Sequence, residues 1–236
     1  MPDAGTVLAI APHPDDELIG AGGSLLLHAK AGRHVAVVHV VGREPTLTEE
    51  LSEERYAAEI DLAARRLGVA EHFCLDAPSR DLLPRRELRI ALAAAVRRLR
   101  PAVVYLPHAD EGDREHRLVH ELARDALWMA GADFFPEAGP EPAPPPRLVL
   151  AYEVWTPMRE FSHAVDISSV MAEKVHAMRA YASQLHHVPW DEALEGLARY
   201  RGAVAQGGGH AEVFGVLNLA QQESLAHHEG LARHRG

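Results

Sequence analysis

Five consecutive residues, His13-Pro14-Asp15-Asp16-Glu17, carry four side chains that can exchange protons or ligate a metal. Pro14 holds His13 in an extended conformation. A His and a carboxylate three positions apart can share one zinc ion, and the neighbouring carboxylate then reaches the water that such an ion activates. A solvated acidic turn capping the next helix would also hold Asp and Glu, since both are favourable at helix N-termini. A second cluster runs from His108 to His116 and contains Asp110, Glu111, Asp113 and Glu115. His116 and His120 are four apart, a spacing that offers two imidazoles from one helix face. The 236 residues include 16 His and a single Cys, Cys74. Any metal is therefore held by imidazole and carboxylate, and internal disulfides and thiolate-rich centres are excluded.

The elements that must position these clusters alternate. Apolar runs predict strands at Thr6–Ala11, His34–Val41, His72–Leu75, Ala102–Leu106 and Leu148–Tyr152. Between them, helical periodicity and stop residues predict helices near Gly22–Ala31, Thr48–Leu67, Glu87–Leu99 and Arg114–Met129. This alternation predicts an α/β fold: a Rossmann-like three-layer sandwich with a mostly parallel, doubly wound sheet. Residues 134–147 carry six prolines and read as a surface excursion inside one domain spanning 1–236. The remainder reads as mostly helical, at about Ser168–Ser183, Asp191–Val204 and from Leu219 onward. The first cluster follows the first strand and the second follows the fourth. With strand order 3-2-1-4-5 these strands are neighbours, and ligands of open α/β sheets bind beyond their carboxyl ends. His13, Asp16 and His116 can therefore converge although they are about a hundred positions apart, as this topology permits.

Ala11-Pro12-His13-Pro14-Asp15-Asp16-Glu17, followed by Gly20-Ala-Gly-Gly23, resembles the opening motif of the LmbE-like, or PIG-L, zinc-dependent N-deacetylases. Members of that family remove the acetyl group from N-acetylglucosamine conjugates. The resemblance implies His13 and Asp16 as zinc ligands and Asp15 as general base. The family closes its site with Asp-x-His-x-Asp-His, and here the matching segment reads Glu111-Gly-Asp-Arg-Glu-His116. His116 is thereby implied as the third ligand, and Glu111 and Glu115 keep the carboxylates. Asp113 replaces a His that stabilises the oxyanion or protonates the leaving amine. Asp113 could serve as the acid only if burial or a neighbouring carboxylate raised its pKa. Glu153-Val-Trp-Thr-Pro157, Val165-Asp166-Ile167, Lys174, Ser183-Gln184, Arg201-Gly202 and Gly209-His210-Ala-Glu212-Val-Phe214 extend the resemblance over roughly residues 6–215. By position, Arg55, His108 and His210 are the substrate-binding candidates, and His120 is an outside candidate as ligand.

The expected activity is zinc-dependent removal of the N-acetyl group from an N-acetylglucosamine-type sugar or small conjugate. The alternatives are another amide hydrolysis or a hydration on the same scaffold, or a non-catalytic zinc- or sugar-binding protein. A formal net charge of −10 argues against nucleic acid and against a polybasic membrane surface. No apolar run reaches membrane length, and the chain reads as cytoplasmic. A homo-oligomer is compatible with the sequence, which selects no particular assembly. Gly20-Ala-Gly-Gly23 misses dinucleotide spacing, and the acidic cluster before it would repel a pyrophosphate.

Overall fold

A computed structural model describes residues 5–42, 53–186 and 188–217. Among the described residues seven strands form one sheet: β1 (Thr6–Ala11), β2 (Val35–Val41), β3 (Glu71–Ala77), β4 (Pro101–Pro107), β5 (Leu148–Tyr152), β6 (His163–Asp166) and β7 (Ala211–Val216). Their order is β3-β2-β1-β4-β5-β7-β6. The first five are parallel, β7 runs antiparallel to β5, and β6 runs antiparallel to β7. The helices are α1 (Asp16–Lys30), α2 (Glu53–Leu67), α3 (Arg86–Leu99), α4 (Arg114–Gly131), α5 (Met171–Met178), α6 (Ala182–Leu185) and α7 (Trp190–Gln206).

Strand alternation divides the core into two faces. Val7, Ala9, Val35 and Val37 pack with α1, α2, α5 and α7. Leu8, Ile10, Ala36 and Val38 point to the opposite side and pack with α3 and α4. A strand buried on both faces reads as a continuous apolar run, which is why β1 and β2 stand out in the sequence. Pairing of β1 with both β2 and β4 makes the gap beyond β1 and β4 the point where the crossovers diverge to opposite faces.

Four features differ from the sequence expectations. Helix α1 begins at Asp16 rather than near Gly22. Gly20, Gly22 and Gly23 weaken helix propensity, but packing requires two of them: a Cβ on Gly20 would meet the Tyr152 ring, and one on Gly23 would meet Ile167. The expected helix over 168–183 is a 3₁₀ turn at Ser168–Val170 followed by α5 and then α6. Strands β6 and β7 lie in a region read as helical. They are short runs whose only signal is pairing with each other and with β5, a long-range feature. Residues 134–147 contain one 3₁₀ turn, Pro136–Ala138, in an otherwise irregular excursion. The expected helical residues 48–52 and the helix from Leu219 lie outside the described residues.

Candidate metal centre

The backbone turns sharply where β1 meets α1. Asp15 has φ 112° and ψ −28°, a conformation that L-residues with a Cβ adopt at a cost of about 1–3 kcal/mol. Such strain persists only where surrounding contacts over-determine it. The Asp16 carboxylate accepts the His13 N–H at 2.8 Å, the Asp15 C=O accepts the first helical N–H groups, from Leu18 and Ile19, and Glu17 accepts the Asp15 N–H at 3.3 Å. Glu17 is itself buried, 3.1 Å from His39 Nε2 on β2, with the Tyr181 hydroxyl at 3.5 Å. Asp15 is therefore presented by a turn braced from β2 and from the chain after α5.

One ligand atom each from His13, Asp16 and His116 lies within 4.8 Å of the others. Asp16 Oδ2 is 3.2 Å from His13 Nδ1 and 3.2 Å from His116 Nε2. His116 is fully buried, and neither of its ring nitrogens has a hydrogen-bond partner. The Asp16 oxygen is near enough to His116 Nε2 but not aligned to bond it. Orphaned buried polar atoms are rare and costly. Here they belong to a group of imidazole and carboxylate ligands gathered about one point, a donor set and number that suit zinc. The residues thus fit a metal on their own chemistry.

Two further carboxylates stand behind the imidazoles. Glu115 Oε2 lies 2.7 Å from His13 Nε2, and its other oxygen accepts the Arg80 N–H at 2.6 Å. Metal-binding His residues usually donate their second nitrogen to such an acceptor, which fixes the tautomer and ring orientation. Burial alone would lower the His13 pKa, but hydrogen bonds to Asp16 and Glu115 outweigh it and raise the value to about 10. A cation would displace the Nδ1 proton, as metal binding to His ligands does. Burial would raise the Asp16 pKa, yet the His116 and His13 imidazoles hold it well below the usual carboxylate range. Glu111 faces the other imidazole, with Oε2 3.8 Å from His116 Nδ1. It is gripped by the Val154 N–H at 2.6 Å, the Trp155 N–H at 3.2 Å and the Thr156 N–H at 3.3 Å.

Asp113 does not have the environment of an acid. It is the N-cap of α4, accepting the Glu115 N–H at 2.7 Å and the Arg80 Nη1 hydrogen bond at 2.7 Å. Burial opposes its ionisation, but Arg80 and the Glu115 N–H keep its pKa below the usual value. With both oxygens accepting, its surroundings favour the carboxylate form over the protonated acid that the reading of Asp113 as second proton donor requires. His108 is also committed: Nε2 donates to the Thr156 carbonyl at 2.8 Å, and Nδ1 accepts the Asp110 N–H at 3.3 Å. It braces the 153–158 loop through these bonds. His120 bonds the Pro107 carbonyl through Nδ1 at 2.8 Å, and it lines, with His108, a separate cavity of about 780 Å³. His210 has a buried Nε2 without a partner, and its backbone joins Ser168 and Ile167 rather than the cluster. Arg55 is exposed on α2, 3.8 Å from Glu59. Sequence reasoning missed Arg80, 33 residues from Asp113 in the chain, because nothing local marks it. Its φ of 63° is the one structural flag on that loop position.

A His–Asp–His group, buried at Asp16 and His116 and half-buried at His13, at the strand ends of a doubly wound sheet defines an α/β protein with a single candidate metal centre among the described residues. Residues 8–127 match the PIG-L family, described as GlcNAc-PI de-N-acetylase, and the chain belongs to that family. The diacetylchitobiose deacetylase of Thermococcus kodakarensis is 30% identical over 91% of this chain and 83% of its own length. A solved N,N′-diacetylchitobiose deacetylase from Pyrococcus horikoshii is 27% identical, with a TM-score of 0.78 over 90% of this chain and 83% of that one. The 4-carboxy-2-hydroxymuconate hydratase of Pseudomonas putida has the same fold, at 24% identity and a TM-score of 0.78 over 91% of this chain and 96% of that one. The fold alone therefore does not choose the reaction.

Proposed function

We propose that the chain is a zinc-dependent N-deacetylase acting on an N-acetylglucosamine-type sugar or a small conjugate of one, working as one domain. The observation that carries this reading is the cluster of half-buried His13 with buried Asp16 and His116, in which neither His116 nitrogen has a hydrogen bond. These three side chains hold the metal. When bound, zinc acts as a Lewis acid that lowers the pKa of a water toward neutrality and polarises the amide oxygen. Asp15 takes the proton from the attacking water. Addition to the acetamide carbonyl gives a tetrahedral intermediate, and its collapse breaks the C–N bond. The amine leaves with the proton returned by Asp15, and acetate is the second product. The same group serves as base and then acid because Asp113 is occupied as a cap. Glu115 holds the His13 imidazole in orientation, and Glu111 faces His116 Nδ1 from 3.8 Å. Arg55, mostly exposed on α2, is the cation this reading assigns to substrate hydroxyls. The relatives named as deacetylases support the substrate class.

Acetate release from a panel of N-acetylglucosamine derivatives tests the reading, with Asp15→Asn in parallel. Loss of a positioned general base should lower kcat by about 10²–10⁴-fold while zinc content stays at the parent level. Stoichiometric zinc without acetate release from any member of the panel would contradict it.

A further inference from the structure

A buried histidine stands inside the sheet, apart from the candidate ligands. Strand β2 reads Val35-Ala-Val-Val-His-Val-Val41, and all of its residues are buried. His39 is its single polar side chain, and a polar group in such a place is costly unless it is hydrogen-bonded. His39 Nε2 lies 3.1 Å from Glu17 Oε2, in the first turn of α1. At a carboxylate oxygen the imidazole is the donor. The same oxygen accepts the Asp15 N–H at 3.3 Å. The Tyr181 hydroxyl meets the other oxygen, Oε1, at 3.5 Å. Glu17 is thus clamped from β2 and from the chain after α5, and the oxygen held by His39 is the one that reaches Asp15. Asp15 needs such a hold, because a non-glycine φ of 112° persists only where its surroundings impose it. Its C=O is tied into α1 by the Leu18 and Ile19 N–H groups, and its N–H is tied to Glu17. The peptides on both sides of its Cα are therefore fixed, and with them the direction of the side chain. The neighbouring Asp16 is anchored separately, since its Oδ2 accepts the His13 N–H at 2.8 Å.

We infer that His39 is a positioning residue for deacetylation: through Glu17 it holds Asp15 in the conformation that presents its carboxylate to the attacking water. This role rests on the deacetylase reading above, in which Asp15 takes the proton of that water. A reacting group displaced by about 1 Å loses about 100-fold in rate, so a small relaxation of the turn is enough to be felt. His39 is not one of the three gathered ligands, and Asp16 has its own anchor. His39 therefore governs the rate of the chemical step and leaves the affinities for substrate and for zinc nearly as they are.

Acetate-release kinetics on the N-acetylglucosamine panel, with zinc affinity read by a competing chromophoric chelator, test this in the parent, His39→Leu and His39→Gln. His39→Leu removes the donor and should lower kcat about 10–100-fold, with KM and zinc affinity changed less than about twofold. His39→Gln places an amide N–H at similar reach and should recover most of the lost rate. If His39→Leu does not fold, His39→Asn takes its place with the same expected outcomes, since its amide is polar but too short to reach Glu17. Parallel losses of kcat and zinc affinity would assign His39 a structural role for the whole centre, and an unchanged kcat would remove it from positioning; both outcomes overturn the inference. If the parent releases acetate from no member of the panel, the deacetylase reading has failed, and crystal structures of the parent and the variant still decide the clamp. An Asp15 φ that leaves the positive region in the variant supports it, and the same positive φ in both proteins overturns it.

Discussion

His13 meets a carboxylate at each ring nitrogen, Asp16 at 3.2 Å and Glu115 at 2.7 Å. Only one of them belongs to the candidate ligand set. The other orients the ring, and its loss should be felt in metal affinity before it is felt in folding. Glu115→Gln is expected to weaken zinc binding about 10–100-fold, as second-sphere carboxylates do, read by competition with a chromophoric chelator. Unchanged affinity would mean that His13 is oriented by packing alone. His13, Asp15 and Asp16 are legible in sequence because they are contiguous and follow a strand. Asp113 is ambiguous in sequence for a physical reason: a carboxylate that caps a helix and one that donates a proton are the same residue until their partners are known. Its partner Arg80 comes from the loop after β3, and no local pattern announces that meeting.

At the scale of elements, two helices are completed by residues from elsewhere. Helix α4 has no basic residue in its last turn. Arg97 of α3, buried, supplies the cation and bonds the carbonyls of Met129, Ala130, Ala132, Phe135 and Gly139. Arg97→Met should cost about 3 kcal/mol by urea unfolding, since it strands several buried acceptors. A change within the range of surface substitutions would show that water replaces the guanidinium. In α1, the buried pair Lys174–Glu212, 2.7 Å apart, reaches the backbone directly. Lys174 donates to the Ile19 carbonyl, and Glu212 accepts the N–H groups of Gly23 and Ser24. Ile19 and Gly23 are groups an ordinary helix would join to each other. In sequence Lys174 reads as part of an ordinary polar helix face and Glu212 only as one residue of the Gly209–Phe214 resemblance segment, because their pairing spans 38 residues.

The same helix carries a pH dependence of stability. His28 accepts from Arg33 through Nδ1 at 3.1 Å and lies 3.0 Å from the Tyr105 hydroxyl through Nε2. Burial, then the nearby Arg33 charge, pushes its pKa down from 6.5 to about 4. Between those values the unfolded chain binds a proton that the folded protein refuses. Its stabilising contribution is therefore full above pH 6.5 and falls away as the pH drops toward 4. The urea midpoint of the parent should decline through this window more steeply than that of His28→Gln. Parallel declines would show that His28 titrates alike in both states.

Across the whole molecule, the strand order brings two motifs about a hundred residues apart to one crevice, as a doubly wound sheet must when strands one and four are neighbours. That part of the architecture was legible because β1, β2, β4 and β5 are apolar runs separated by helical periods. The β6–β7 edge was not, since short antiparallel strands declare themselves only by pairing. None of the described helices is long and apolar enough to cross a membrane. The central claim is that one metal, held by His13, Asp16 and His116, is needed for deacetylation. Zinc titrated into chelator-stripped protein, with acetate release followed at each addition, tests it most directly. The stripped protein should release negligible acetate, and activity should return linearly and saturate at about one zinc per chain, as a three-ligand site requires. Full activity in the stripped protein, or no return of activity with bound zinc, would contradict it.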